Sequence, residues 1–249
     1  MKKSVLPWVL ASLLAITGCW TIASYNDASI SSPPAVYDPY PIKQDGTDRI
    51  GHDIVNPTVQ LIINGKGGGT GVIIAKDKIL TACHVVVGAK SIMATQMIND
   101  NITVDTDVTL EEADPVHDLA ILKTTAKWAG IASIIKQASD LHLNVFAFTY
   151  GYPGSLQTQI EGILSGGWVS CLKGRKYVPG RTITMTSVPV GKGNSGGGLF
   201  VFVDGEWQLA GIGSVVLLQP LGQEDYQMVN TVSGFVTASD MLEFIGRSK

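Results

Sequence analysis

Residues 72–86, VIIAKDKILTACHVV, contain two short apolar runs on either side of a charged KDK turn, and the second run leads directly into His84. Two apolar runs joined by a short polar turn are typical of paired antiparallel strands. Residues 59–63, VQLII, end at Asn64-Gly65, a dipeptide that favours a tight hairpin turn. This part of the chain therefore predicts a β domain of short strands joined by tight turns.

Similar apolar runs, separated by glycine, asparagine and aspartate, recur at short intervals towards the C-terminus. They cover residues 120–122, 145–149, 182–187, 199–203, 207–212 and 215–218. Such a series is expected for an antiparallel barrel or sandwich. Helical signals are few, and the clearest is residues 237–247, TASDMLEFIGR, which begin with capping residues. We therefore predict an all-β fold with a short C-terminal helix.

Composition excludes several classes of function. The chain has 249 residues, of which 45% are hydrophobic and 16% charged, an ordinary globular balance. Its formal net charge of -3 gives no general attraction to phosphate backbones, so we expect no nucleic-acid partner. The glycine-rich residues 65–71 lack the GK[ST] ending of a phosphate-binding loop. Cys83 and His84 are neighbours that should face opposite sides of a strand, which argues against a shared metal site. We expect no metal and no cofactor to be required.

The N-terminus has the pattern of an export signal. Two lysines follow Met1, and an apolar run at residues 5–16 is too short to span a bilayer but has the length of a secretory core. The run ends in ITGC at residues 16–19, which resembles the lipobox of bacterial lipoproteins. The resemblance implies cleavage of a signal peptide at residues 1–18 and lipidation of Cys19 by acyl chains that anchor firmly. The alternatives are an uncleaved membrane anchor and a plain signal with an incidental cysteine.

Residues 19–50 are predicted to be a flexible linker, because SSPP at residues 31–34 and DPYP at residues 38–41 break any helix or strand pattern. The remaining residues, 51–249, would form the folded domain. Once Cys19 is lipidated, Cys83 and Cys171 remain. Export permits a disulfide between them, but we favour two free thiols.

Three local motifs occur in the order histidine, aspartate, serine. They are residues 79–86 (ILTACHVV), 117–122 (HDLAIL) and 191–199 (GKGNSGGGL). Together they resemble the motifs of trypsin-like serine peptidases, especially the bacterial HtrA/Deg-type and glutamyl-endopeptidase-like branches. Residues 68–75 (GGTGVIIA) and 148–154 (FTYGYPG) add further matches, so the resemblance covers roughly residues 55–235.

The chemistry explains why these residue types are needed together. A serine hydroxyl is a poor nucleophile near neutral pH and requires a base within hydrogen-bond reach. The resemblance implies that Ser195 is the nucleophile, His84 the base, and Asp118 the group that orients the imidazole. It also implies an oxyanion hole made by the backbone N–H groups of Gly193 and Ser195.

The resemblance further implies two packed antiparallel six-stranded β-barrels, at about residues 54–135 and 142–235, with the active site in the cleft between them. It suggests that Ser214 bonds Asp118. It places the specificity pocket at residues that include no acidic side chain, which disfavours substrates with Arg or Lys and favours small or medium apolar side chains. The predicted pocket residues are Pro189, Val190, Lys192, Ser214, Val215 and Val216.

We therefore expect a monomeric serine endopeptidase that cleaves exported or surface proteins through an acyl-enzyme. Its lipid anchor would place it in a bacterial cell envelope. This would be the outer membrane, facing the periplasm, in a host with two membranes, and the outer face of the cell membrane otherwise. One rival is a catalytically silent pseudoprotease that serves as a binding module, and another is a purely structural lipoprotein. The acidic residues Glu111, Glu112 and Asp114 are interpreted as a solvated loop.

Overall fold

The computed structural model describes residues 49–99, 102–154, 162–175, 181–220 and 226–248. Within these ranges, strands form two closed barrels of six strands each, and every strand pairing is antiparallel. The predicted fold class is confirmed. The predicted signal peptide, the lipidated Cys19 and nearly all of the predicted linker lie outside the described residues.

The first barrel has the strand order β1-β2-β3-β6-β5-β4 and closes through the pairing of β1 with β4. Asn64 and Gly65 have φ values of 52° and 71°, and this pair of positive values matches the tight hairpin turn predicted between β1 and β2. A one-turn helix, α1 (Cys83–Val86), follows β3. The six strands are β1 (Thr58–Ile63), β2 (Lys66–Ala75), β3 (Lys78–Thr81), β4 (Ile92–Asn99), β5 (Ile102–Asp114) and β6 (Leu119–Lys123).

The second barrel has the strand order β10-β11-β12-β9-β8-β7. The two apolar runs at residues 207–212 and 215–218 belong to one long strand, β11, and a register shift separates them. The helix α2 (Ala238–Arg247) follows the last strand. The six strands are β7 (Phe146–Gly151), β8 (Ile163–Arg175), β9 (Thr182–Thr186), β10 (Gly198–Val203), β11 (Glu206–Pro220) and β12 (Tyr226–Val236).

A hydrophobic cluster shared by both barrels fixes the cleft between them. It contains Leu80 and Leu119 from the first barrel and Phe148 and Phe200 from the second. Burial of each such side chain contributes about 1.5–3 kcal/mol relative to leaving it exposed. Because Leu80 and Leu119 lie on strands that lead to or from predicted catalytic residues, the same packing holds those residues in place.

The helix α2 covers this shared cluster. The Thr237 side chain caps its N-terminus by accepting a hydrogen bond from the Asp240 backbone N–H at 3.3 Å. Met241 and Phe244, one turn apart, are buried in the shared cluster. No helix in the described ranges is both long and apolar enough to cross a membrane.

Replacing Phe244 with alanine should lower the free energy of unfolding by about 3–5 kcal/mol, because it opens a cavity where α2 meets the shared cluster. Denaturant titration followed by circular dichroism would measure the change. Glu243→Ala, on the exposed face of the same helix, is the control and should shift stability by less than about 0.5 kcal/mol. Equal effects of the two substitutions would show that α2 is not docked as described.

Candidate active site

Asp118 is the buried centre of the site. Its side chain is only 3% exposed, and it precedes β6 with a φ of +62°, a region that aspartate enters more easily than most residues. Its Oδ1 accepts the His84 backbone N–H at 2.9 Å, and its Oδ2 accepts His84 Nδ1 at 2.8 Å. The Ser214 hydroxyl donates to the same Oδ2 at 2.5 Å. The carboxylate is therefore held by groups from both barrels.

These hydrogen bonds also determine the protonation state of Asp118. Burial alone would raise the pKa of the carboxyl group, because it penalises the ionised form. The hydrogen bonds from His84 and Ser214 outweigh that effect and hold the Asp118 pKa below its usual value. Asp118 is therefore an anion near neutral pH and accepts the hydrogen bond from Nδ1 of the imidazole.

His84 lies in α1, directly after β3, with its side chain 47% exposed. Because Nδ1 faces a carboxylate, the neutral ring carries its proton on Nδ1 and leaves Nε2 as the acceptor. Such an arrangement allows the ring to act as a general base through Nε2.

Ser195 lies in the tight loop between β9 and β10. Its carbonyl accepts the Thr70 backbone N–H at 2.8 Å. A methyl group on Gly69 would lie 2.8 Å from the Ser195 carbonyl and 2.8 Å from the side chain of Val85, the residue after His84. Ser195 and Val85 therefore both pack closely against Gly69. Among the described residues, no hydrogen bond joins His84 Nε2 to the Ser195 hydroxyl. Such a bond is often long in unliganded sites and tightens when substrate binds.

The predicted oxyanion donors have a defined orientation. Gly193 has a φ of +101°, and a Cβ there would lie 2.3 Å from both Gly154 N and Tyr152 O, so only glycine fits. The Lys192 carbonyl accepts the Gly154 N–H at 2.6 Å. Because a trans peptide points its carbonyl and N–H in opposite directions, the Gly193 N–H points away from residue 154. Neither this N–H nor that of Ser195 has a hydrogen-bond acceptor among the described residues.

A small pocket, partly open to solvent, lies beside Ser195. No charged side chain is among the residues that line it in the described part of the chain. They are Val190, Gly191, Asn194, Ser195, Gly213, Gly234 and Phe235. Of the predicted pocket residues, only Val190 is in this lining.

The other predicted pocket residues have different positions. Ser214 directs its hydroxyl to Asp118, and Pro189 and exposed Lys192 are not in the described lining. The side chains of Val215 and Val216 are outside the described part of the structure. Sequence reasoning missed Phe235 and Gly234 because the strand that carries them, β12, was not among the predicted strands.

Arg181, directly before β9, was also missed by sequence reasoning. Its Nη1 lies 3.3 Å from Asp118 Oδ2, and its side chain is 18% exposed. Its Nε donates to the Val116 carbonyl at 2.7 Å and its Nη2 to the Pro115 carbonyl at 2.9 Å. One guanidinium from the second barrel thus holds the first-barrel loop that ends at Asp118. No local sequence signal links residues so far apart in the chain.

The acidic residue Asp114 is not part of a solvated loop, which corrects the sequence interpretation. It is the last residue of β5 and is 7% exposed. Its Oδ1 accepts the backbone N–H groups of Val116 and His117, each at 3.0 Å. Its Oδ2 bonds His117 Nδ1 at 2.8 Å and also accepts a bond from Arg247. Burial would raise the Asp114 pKa, but the bonds from His117 and Arg247 hold it far below its usual value.

The two predicted free cysteines are both unpaired thiols in the structure. Cys83 is buried in the first barrel, and its burial, with a smaller effect of the Asp118 charge, raises the pKa of its thiol. Within the described residues, no group of three or more His, Cys, Asp or Glu side chains is arranged to hold a metal ion.

The fold and the site define a peptidase-like protein, and comparison with known proteins identifies the family. The family model of the trypsin-like peptidase domain matches residues 69–212, and the chain therefore belongs to this family.

Individual proteins show the same likeness. The magnetosome formation protease MamE of Magnetospirillum gryphiswaldense (strain DSM 6361 / JCM 21280 / NBRC 15271 / MSR-1) is 29% identical over 178 residues, which is 69% of this chain. The aligned part is only 21% of MamE, so this chain spans about a fifth of that relative.

Solved structures share the fold at low sequence identity. The HtrA-type protease AlgW with a tripeptide superposes with a TM-score of 0.63 at 21% identity, over 80% of this chain and 61% of AlgW. The Rv3671c protease in an inactive form superposes with a TM-score of 0.58 at 18% identity, over 78% of this chain and 89% of that protein.

Asp114→Asn should destabilise the protein by about 1–3 kcal/mol at pH 7, because it weakens the bonds that order the loop before Asp118. The folded pKa of Asp114 is below the unfolded value of about 3.9, so its stabilising contribution exists above that pH and is lost as the pH falls. The difference in free energy of unfolding between parent and variant should therefore become smaller below about pH 4. Denaturant unfolding at pH 7 and at lower pH would measure it.

Asp107→Asn, at an exposed position of β5, is the control and should leave stability nearly unchanged at each pH. A gap between the parent and Asp114→Asn that stays constant from pH 7 to pH 3 would contradict the assignment of Asp114.

Proposed function

We propose that this protein is an active serine endopeptidase that uses Ser195, His84 and Asp118. The observation that carries the proposal is the buried Asp118 carboxylate, which holds His84 through Nδ1 while Ser195 lies in the same cleft. Membership of the trypsin-like peptidase family supports it.

The reaction would follow from this geometry in two stages. As the Ser195 Oγ attacks the peptide carbonyl carbon, its proton passes to His84 Nε2, and Asp118 stabilises the resulting imidazolium. The N–H groups of Gly193 and Ser195 bind the oxyanion. His84 then gives the proton to the leaving amine, the C–N bond breaks, and an acyl-enzyme remains. Water activated by His84 attacks the ester and releases the acid and the free Ser195 hydroxyl.

The pocket beside Ser195 favours a small or medium apolar side chain immediately before the cleaved bond. Val190 and Phe235 give it apolar walls, and Gly213 and Gly234 contribute no side chain. A lysine or arginine would enter without an acidic partner, which is unfavourable because a buried charge requires compensation. We therefore propose apolar specificity.

The N-terminal sequence pattern supports a cellular location for this activity. Cleavage before Cys19 and lipidation of its thiol would tether the domain through residues 19–50 to a bacterial membrane. Exported or surface proteins would then be the substrates, and we expect a monomer. In a host with two membranes, Trp20 after the lipidated cysteine favours the outer membrane, with the domain in the periplasm.

The first test is covalent labelling of the full-length protein by a fluorophosphonate, together with cleavage of an unbiased peptide library. The parent should be labelled, and Ser195→Ala should lose both labelling and cleavage, with a decrease in kcat of up to about 10⁶-fold. The mapped cut sites should follow small or medium apolar residues.

Ser91→Ala is the matched control, because it removes an exposed serine hydroxyl away from the loop that carries Ser195. It should be labelled like the parent. A folded parent that neither reacts with the probe nor cleaves peptides would favour the rival interpretation, a pseudoprotease that binds partners without hydrolysis.

Cys19→Ser should prevent lipidation and move the protein from the membrane fraction to the soluble fraction of the envelope. Metabolic labelling with a radioactive fatty acid and detergent phase partitioning would measure the change. Cys171→Ser removes a different thiol and should leave the acylation unchanged. Fatty-acid label that persists in Cys19→Ser would contradict the proposed anchor.

A further inference from the structure

Thr70 is a residue of the first barrel whose polar contacts lie mainly in the second. It is fully buried in β2. Its backbone N–H donates to the Ser195 carbonyl at 2.8 Å, and its hydroxyl donates to the Gly193 carbonyl at 2.8 Å. The same hydroxyl oxygen accepts the Tyr152 N–H at 3.1 Å. Thr70 therefore bonds both ends of the three-residue segment that carries the two predicted oxyanion donors.

The bond to Gly193 matters because of the peptide planes on either side of that residue. The plane before Gly193 is fixed by the hydrogen bond from Gly154 N to the Lys192 carbonyl at 2.6 Å. The plane after it is held by the Thr70 hydroxyl and by the Asn194 N–H, which donates to the Gly191 carbonyl at 3.1 Å. With φ at +101°, Gly193 has no side chain of its own to limit its rotation. Its orientation therefore depends on these three hydrogen bonds, of which the bond from the Thr70 hydroxyl is the one donated by a side chain.

The close packing around Thr70 leaves the loop that carries Ser195 little room for another conformation. A methyl group on Gly196 would lie 2.0 Å from the Thr70 carbonyl, which shows how closely the two backbones approach. That carbonyl also accepts the Thr81 hydroxyl at 2.7 Å, so β2 is itself held by β3, the strand that leads towards His84.

We propose that Thr70 is a positioning residue. It holds the peptide planes that follow Gly193 and Ser195, and so keeps the loop in the conformation that directs the N–H groups of these two residues at the oxyanion. The inference rests on the proposed peptidase function and deepens it. Only a hydroxyl can donate to the Gly193 carbonyl and accept the Tyr152 N–H at one point. Valine has nearly the same shape but places a methyl group there, which leaves both partners unpaired and brings carbon to within 2.8 Å of an oxygen.

Thr149 provides a matched control within the same protein. It is a buried threonine on β7, and it faces Leu199, four residues after Ser195, in the strand register. Its hydroxyl has no hydrogen-bond partner among the described residues. Thr149→Val therefore makes the same chemical change as Thr70→Val without breaking a hydrogen bond.

Kinetics of the full-length protein on a peptide substrate test the proposal. Thr70→Val should lower kcat by about 10–100-fold and change KM by less than about threefold, because the oxyanion forms only in the transition state. Thr70→Ser, which keeps the hydroxyl, should restore kcat to within about threefold of the parent. Thr149→Val should match the parent. Equal kcat values for Thr70→Val and Thr149→Val, or a loss confined to KM, would overturn the proposal.

Amide hydrogen exchange tests the same claim without turnover. Thr70→Val should speed exchange at the Gly154, Asn194 and Gly196 amides, which lie in or contact the loop, whereas Thr149→Val should not. If Thr70→Val fails to fold, Thr70→Ala and Thr70→Ser, which differ by one oxygen, make the same comparison. An inactive parent with the expected exchange pattern would reject the peptidase function but keep the positioning role. Unchanged exchange in the Thr70 variants would reject the positioning role.

Discussion

The arrangement of the site depends on one buried carboxylate, that of Asp118. A carboxylate removed from water is costly unless charges and hydrogen bonds compensate it, and here the compensating groups come from both barrels. His84 is contributed by α1 of the first barrel, whereas Ser214 and Arg181 belong to the second. The carboxylate is therefore fully satisfied only when the barrels are packed together, and that packing also brings Ser195 into the cleft.

The loop before Asp118 is also held by residues from other parts of the molecule. Arg181 donates hydrogen bonds to two carbonyl groups of this loop. Asp114, at the beginning of the loop, accepts two of its backbone N–H groups. Asp114 is in turn paired with Arg247 at the end of α2. The C-terminal helix thus contributes to the site through a chain of polar contacts and through the shared hydrophobic cluster, although none of its residues lines the described pocket.

The sequence predicted features that strong local patterns encode, and it missed strands with weak patterns and contacts that no motif marks. The hairpin at Asn64-Gly65 and the helix cap at Thr237 are encoded within a few residues. The strands β4, β5, β8 and β12 lack compact apolar runs, because polar residues or glycine interrupt them, so their pattern was not recognised. Arg181 was missed for a different reason, since its partners lie at least 33 positions away in sequence and no spacing rule connects them.

The two barrels contribute different residues to the site. The first barrel carries the proposed base and its carboxylate, and the second carries the proposed nucleophile, yet Asp118 and the Ser195 loop are each held by residues of the opposite barrel. Arg181 and Ser214 hold Asp118 across the cleft, and Thr70 holds the Ser195 loop in the reverse direction. Because the contacts cross in both directions, a shift of one barrel would disturb both the His84–Asp118 pair and the Ser195 loop. The cleft is therefore stabilised by the same interactions that hold the proposed catalytic residues.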